Sequence, residues 1–419
     1  MREVRPGTVA GFSCVDCGRE RDFAFPAYRC GCGGNLEVRY DAAAVRRAIG
    51  RPSVDDLGRR GHWVWMPMLP VTEEGVRSFS LTIGGSPLVE RRDLAREVGV
   101  GRLLLKDDTR LPSASFKDRA SSVLVAMAAE RGIRRVCTAS TGNAGCSMAC
   151  LCADAGLEAV VFVPATAPKA KIAQLLFYGA RVIKVAGTYD DAFDLCWKLS
   201  QKHGWLNRST GWNPFTREGK KTVSLEIVQQ LDWQVPDAVL VPVGDGNIIS
   251  GVWKGFRDLR MAGLISTLPR IIAVQSTLSN AVSLAVGRVR KGMNPVAAVL
   301  PVRATTRADS ISVDLPRDGV AAVKAVTESG GDVVEVSDDE IRKAIVTLAG
   351  KTGIFSEPAG ATAYAGLSRW LERQPDASRL NVVCLVTGNG LKDVEAAAAL
   401  LPLPIEVKAG AEEVPGLGG

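Results

Sequence analysis

The chain has 419 residues, 52 of them basic and 45 acidic for a formal charge of +7, with 46% hydrophobic and 23% charged side chains. That length holds two or three domains with a sizeable core, and the balance is that of an ordinary globular enzyme. Without a basic cluster interleaved with aromatics, an apolar run of roughly 18 residues or an apolar signal core, the expectation is a cytoplasmic protein with neither nucleic acid nor membrane as partner.

From the N-terminus, the first signal is cysteine. Four of the ten, Cys14, Cys17, Cys30 and Cys32, fall within nineteen residues. Cys14-Val15-Asp16-Cys17-Gly18 and Cys30-Gly31-Cys32-Gly33-Gly34 form two glycine-backed knuckles suited to a tetrahedral metal such as Zn2+. The flanking Phe23, Phe25, Tyr28 and Leu36 make only a tiny core, so a metal would supply the folding energy. The second knuckle is C-x-C instead of the commoner C-x-x-C, and a reduced, metal-free ribbon stands as the alternative. Residues 1–45 are thus expected to form a zinc-ribbon-like segment. Cys146, Cys150 and Cys152 read as small apolar packing residues on a helix.

Residues 40–50 read as a short helix and 51–61 as polar linker, inside a connecting stretch at 46–80. There, His62-Trp63-Val64-Trp65-Met66-Pro67-Met68 is an apolar, aromatic patch, and a homodimer using Trp63, Trp65 and Met66 at its interface is expected. The body follows. Strand-like runs at 102–106, 135–139, 159–163, 181–185, 238–243, 270–274 and 380–386 alternate with helical runs at 118–130, 143–155, 168–178, 189–203 and from Asn247. Repeated β-α units predict an α/β fold with parallel sheets covered by helices, and this many units requires two layers. The tail at 408–419, rich in Gly, Pro and Glu, reads as loose.

Ser115-Phe116-Lys117-Asp118-Arg119 sits between a strand-like and a helical run. A lysine where a turn enters a helix meets the positive end of the helix dipole, which disfavours its charged form. A free lysine titrates near ~10.4, so a nucleophilic lysine needs such a depression. Alone, the stretch reads equally well as a solvated charged patch. Three glycine-bearing loops share its surroundings: Ser140-Thr141-Gly142-Asn143-Ala144-Gly145, Gly244-Asp245-Gly246-Asn247 and Thr387-Gly388-Asn389-Gly390. Each leaves an apolar strand at the end where α/β proteins bind ligands. The second permits an anion-binding nest. None has the spacing of a nucleotide or dinucleotide loop.

These stretches carry a resemblance. With Ala173 to Arg181, Asn213-Pro214-Phe215-Thr216-Arg217-Glu218-Gly219-Lys220-Lys221-Thr222 and Phe355-Ser356-Glu357-Pro358-Ala359, the chain resembles the threonine synthase branch of the fold-type II pyridoxal-phosphate enzymes over nearly its whole length. The resemblance implies a lyase with a two-domain parallel-sheet body: 81–115 and 213–407 as a large cofactor-binding domain, 116–212 as a small mobile one. It further implies that Lys117 binds pyridoxal 5'-phosphate as a Schiff base and serves as the catalytic base, and that Asn143 bonds the 3-oxygen. Gly244, Asp245, Gly246 and Asn247 would cradle the phosphate, and Thr387 would face the pyridine nitrogen. Ser140 and Thr141 would take the substrate carboxylate.

Two departures touch the substrate. The phosphate loop is one residue shorter than the usual form and carries Asp245, an acidic group near a dianion. The stretch from Ala304 diverges after Arg307. If the substrate is O-phospho-L-homoserine, its phosphate needs cations, and Arg307, Arg317, Lys169 and Lys220 are the candidates. The expected reaction is its conversion with water to L-threonine and phosphate by γ-elimination and β-addition. The alternatives are β-elimination, β-replacement or deamination of a serine- or threonine-like amino acid, and a non-catalytic small-molecule binder.

Overall fold

The computed structural model describes residues 4–167, 169–394, 405–407 and 409; the side chains of residues 169–171, Lys169 included, and most of the 408–419 tail lie outside the described residues. Among the described residues thirteen strands form three sheets. β1 (Val9–Cys14), β2 (Glu20–Arg21) and β3 (Leu36–Tyr40) make an antiparallel ribbon in the order β2-β1-β3. The large sheet is built from β4 (Leu88–Glu90), β5 (Arg102–Asp107), β10 (Ala238–Pro242), β11 (Arg270–Ser276), β12 (Val333–Val336) and β13 (Asn381–Val386). Its order is β12-β11-β10-β13-β5-β4, and all pairs are parallel except β4 with β5. The small sheet, β8 (Arg181–Val185), β7 (Glu158–Pro164), β6 (Arg135–Ala139) and β9 (Leu206–Asn207), is wholly parallel. The fold is α/β, as expected.

Central strands read as unbroken apolar runs because helices cover both faces of a parallel sheet. Val239, Leu240, Val241, Ile271, Ile272, Val383 and Leu385 are fully buried, with alternate residues entering different core clusters. Where a helix carries clear end signals, sequence and structure agree closely. Tyr189–His203 starts at a Thr188–Asp191 capping box and stops at left-handed Gly204.

The stretch at 46–80 differs from the expected linker. Val54–Arg60 is a helix with a Ser53–Asp56 capping box, and Gly61–Met68 is a 3-10 helix whose aromatics turn inward. Trp65 is fully buried, donating to Gln229 Oε1 at 3.2 Å and lying edge-on to Trp233, while buried Trp63 packs on Phe79. These tryptophans are core residues of their own chain, so the interface expected for Trp63 and Trp65 is corrected; Met66 is partly buried in the same core. The ribbon likewise borrows its core: Phe12, Phe23 and Phe25 surround Phe215 of the body.

Candidate active site

Lys117 is placed by a chain that leaves β5, makes the short 3-10 turn Asp108–Arg110 and reverses with Ala114 at φ +62°. A non-glycine residue in the left-handed region costs of order 1–3 kcal/mol and persists where its surroundings fix it. Here they do: Ala114 O accepts from Asn389 N at 3.0 Å, Phe116 N donates to Thr387 O at 2.8 Å, and Ser115 bridges to Gly388. Lys117 then opens the helix Lys117–Glu130 beside the Thr387 loop.

The neighbours of Lys117 exclude a solvated patch. Asp118 and Arg119 are fully buried. Asp118 accepts from Ser113 N and Oγ at 2.7 and 2.5 Å. Arg119 is forked to Glu226 at 2.6 and 2.8 Å and to Asp108 at 2.6 and 3.0 Å, and Lys106 Nζ reaches Glu226 at 2.8 Å.

Around Lys117 the charges are not matched in this way. Lys220 is 1% exposed, yet among the described residues its ammonium makes no hydrogen bond or ion pair. The close approach of its helix, Pro214–Lys220, requires Gly219, where a Cβ would lie 1.9 Å from Arg119 O. Burial drives Lys220 well below the ordinary lysine range, and Lys117 and Arg208 push the same way. Burial also lowers Lys117, opposed by Glu357. Even Arg208 is pulled down to about 10 by burial, and its Nη2 has no partner. The facing carboxylates move toward neutrality: Asp245 is pushed up to about 7 by burial and Asp318, and burial raises Glu357. Arg208 and Glu357 were not singled out from sequence as site residues. Arg208 follows β9, two residues long, too short to register as a strand, whereas Glu357 was legible only as part of Phe355-Ser356-Glu357-Pro358-Ala359.

The three loops lie at carboxyl ends of strands. Asn143 starts the helix Asn143–Asp154 and donates to Glu357 Oε1 at 2.8 Å. Glu357 lies against Gly388, where a Cβ would fall 2.3 Å from its Oε1. Thr141, Asn143, Ser310, Glu357 and Lys392 line a cleft of about 560 Å3. Ser140 is half-buried, its Oγ accepting from Gly142 N at 3.3 Å. Gly244 and Gly246 open the helix Asn247–Met261, with Gly246 at φ +90°. Asp245 turns one carboxylate oxygen onto Arg317 N at 2.8 Å, and the other is buried without a partner. Asn247 Nδ2 donates to Asp318 at 2.8 Å, which leaves the helix's first amides as donors for an anion.

Of the other cations, Arg307 is exposed, its backbone N–H held by Asp338 at 2.9 Å, and it does not line the cleft. The Arg317 guanidinium lies over the Phe193 and Trp212 rings.

These residues fit pyridoxal phosphate. Buried Ser115 Oγ, Ser209 Oγ, Arg208 Nη2 and Asp245 Oδ2 lack partners, a pattern natural proteins keep where a ligand completes the site. At the ribbon, Cys14 Sγ lies 3.5 Å from Cys32 Sγ, and Cys17 Sγ lies 3.9 Å from Cys30 and 3.4 Å from Cys32. All four lie within 4.8 Å of one another. Zn–S bonds of about 2.3 Å in a tetrahedron separate sulfurs by about 3.8 Å, so these thiols fit such an ion.

Residues 79–388 match the family described as pyridoxal-phosphate dependent enzyme. Threonine synthase of Methanocaldococcus jannaschii is 37% identical over 398 residues, 94% of this chain and 96% of its own; that of Methanosarcina acetivorans is 34% identical over 409 residues, 96% of each. Among solved structures, processed threonine deaminase isoform 2 of Solanum lycopersicum superposes with TM-score 0.62 at 25% identity, over 75% of this chain and 86% of that one. Serine racemase of Dictyostelium discoideum shares the fold, with TM-score 0.62 at 20% identity over 81% and 99%. Among the described residues no helix is long and apolar enough to cross a membrane.

Proposed function

Because the chain belongs to the threonine synthase-like branch of the fold-type II pyridoxal-phosphate-dependent enzymes, we propose that it is the lyase that turns O-phospho-L-homoserine and water into L-threonine and phosphate. The cofactor, when bound, supplies an electron sink that acidifies the Cα hydrogen of an amino acid. Lys117 would hold it, and burial, which lowers the proton affinity of this amine, favours the neutral form a base requires. Its Nζ takes the Cα proton. Ser140 and Thr141 orient the substrate carboxylate at a helix start. Asn143, fixed by Glu357, would bond the 3-oxygen, and Thr387 would offer a neutral hydroxyl to the ring nitrogen. The amides from Gly244 to Asn247 would receive the cofactor phosphate, while Asp245, held by Arg317 N, keeps one oxygen turned aside. A Cβ proton and the Cγ phosphate then leave, water adds at Cβ, and protons return at Cγ and Cα. Closure of segment 116–212 over the cleft excludes water until it is needed.

The observation that carries the phosphorylated substrate is a pair of buried basic side chains, Lys220 and Arg208, that have no carboxylate partner among the described residues. They lie beside half-buried Lys117, and the nearby carboxylates, Asp245 and Glu357, are both driven toward neutrality. A buried charge without a partner is costly, so this arrangement is suited to arriving phosphates. One phosphate comes with the cofactor; the second favours a phosphoryl group on the substrate over free serine or threonine. We assign Lys220 and Arg208 to these phosphates in place of Arg307. The reading also includes Zn2+ on Cys14, Cys17, Cys30 and Cys32. Purified holoenzyme given O-phospho-L-homoserine is expected to release phosphate and threonine in equal amounts. Formation of a 2-oxo acid from serine or threonine, with no phosphate release from the ester, would overturn the assignment.

A further inference from the structure

The ribbon does not sit idly on the surface. Asn35, three residues past Cys32, donates from Nδ2 to Arg317 O at 2.8 Å and to Asp318 Oδ1 at 2.9 Å. Asp318 is fully buried and collects the surrounding segments: Arg217 Nη2 at 2.5 Å on the same oxygen, and Asn247 Nδ2 at 2.8 Å and Ser250 Oγ at 2.7 Å on the other. Its backbone N–H donates to Asp245 O at 2.9 Å, and a Cβ on Gly246 would meet Asp318 O at 2.7 Å. Asp318 therefore touches the ribbon and Asn247 through its carboxylate, and Asp245 and Gly246 of the loop read as the cofactor-phosphate cradle through its backbone.

The other knuckle grips the same region. Val15 O accepts from Lys324 Nζ at 2.5 Å, on the helix Gly319–Glu328 that follows Asp318. Gly34, in the second knuckle, passes so close to the first that a Cβ would lie 2.8 Å from Cys14 Sγ. Asn35 is thus held between backbone that must wrap the four thiols and a carboxylate that fixes the loop. Among the side chains of the loop at 29–35 Cys30 alone is both buried and apolar, so apolar packing contributes little to the shape of that loop.

We propose that a metal on Cys14, Cys17, Cys30 and Cys32 fixes Asn35 against Asp318 and thereby sets the affinity of the Gly244–Asn247 cradle for the cofactor phosphate. Asn35 is a positioning residue: it acts through Asp318 and touches no cofactor. This rests on the metal reading of the thiols and on the cradle assignment above.

The test measures zinc content and, separately, the Kd of the full-length apoprotein for pyridoxal phosphate, followed by absorbance. Asn35→Ala is expected to keep one zinc per chain and the wild-type kcat at saturating cofactor, and to weaken the Kd about ten-fold, the equivalent of ~1.4 kcal/mol. Zinc removed by chelation is expected to weaken it similarly in the wild type and to add little in Asn35→Ala, because both act on one element. Readdition of Zn2+ restores the wild type. Circular dichroism identifies preparations that have unfolded, and Asn35→Ala, which leaves the thiols intact, remains informative if chelation unfolds the chain. An unchanged Kd in folded Asn35→Ala overturns the proposal, as does a wild-type chain that takes up no zinc. Neither result affects phosphate release from the ester; failure to bind the cofactor at all would instead sink the cradle assignment.

Discussion

Two buried groups of charges meet in the helices Lys117–Glu130 and Pro214–Lys220, and they are built on opposite rules. Arg119 has a carboxylate for each arm of its guanidinium, Lys106 shares one of them, and Lys221 is held by Glu218 at 2.6 Å and Asp258 at 2.7 Å. Lys117 and Lys220, two positions and one position away, have no such partners among the described residues. A fully paired buried ion is structural, and removing one member costs about 3–5 kcal/mol. An unpaired one weakens the fold and is retained where a ligand completes it. Sequence neighbours differ because the helix turns them to different faces: Arg119 and Lys221 toward the interior network, Lys117 and Lys220 toward the loops at the strand ends.

The sharpest break in this contrast is expected at Lys117. Lys117→Ala should lower turnover by at least about 10^3-fold and remove the visible absorbance band of the bound cofactor, while melting of the apoprotein changes little. On the paired side the signs reverse. Glu226→Gln should cost about 3–5 kcal/mol in denaturant unfolding and leave turnover per folded molecule near wild type. Lys220→Met joins the two halves. Relieving an unpaired buried ammonium should stabilise the apoprotein by about 1–2 kcal/mol and raise the KM for the phosphate ester about ten-fold. A destabilised Lys220→Met with unchanged KM would place Lys220 among the structural cations. The smallest effect concerns Asp245. Its folded value, about 7, lies above the ordinary carboxylate value of 3.8, so the folded apoprotein binds the extra proton and this contribution to stability falls as pH rises from about 4 to 7. Asp245→Asn should flatten the fall in apoprotein melting temperature across that window.

Much of the site could be read in the chain because strand, loop and helix start are local events. The three loops and the turn lysine all announce themselves within a few residues, and β6, β8 and the helix Tyr189–His203 have the expected bounds. Long-range packing left weaker traces. His62 to Met68 is as apolar as an interface, and only the chain's return at Gln229 and Trp233 shows that the patch is interior. β12, four residues long, and the helix Asp338–Thr347 that follows it went unread, although Ser337 and Glu340 form a capping box. Lys220 looked like one cation among four; its burial depends on Gly219 meeting Arg119 O, a contact between segments about a hundred positions apart. At Lys117 the helix dipole and burial both disfavour the charged form, and burial, the dominant cause, is contained in no local pattern.

Two amines of depressed proton affinity, half-buried Lys117 and buried Lys220, compete for the central role, and one measurement separates them. Holoenzyme treated with borohydride to fix the imine is digested, and the phosphopyridoxyl mass is located by peptide sequencing. The account predicts the label on Lys117 alone; a label on Lys220, or on neither lysine at saturating pyridoxal phosphate, would contradict it.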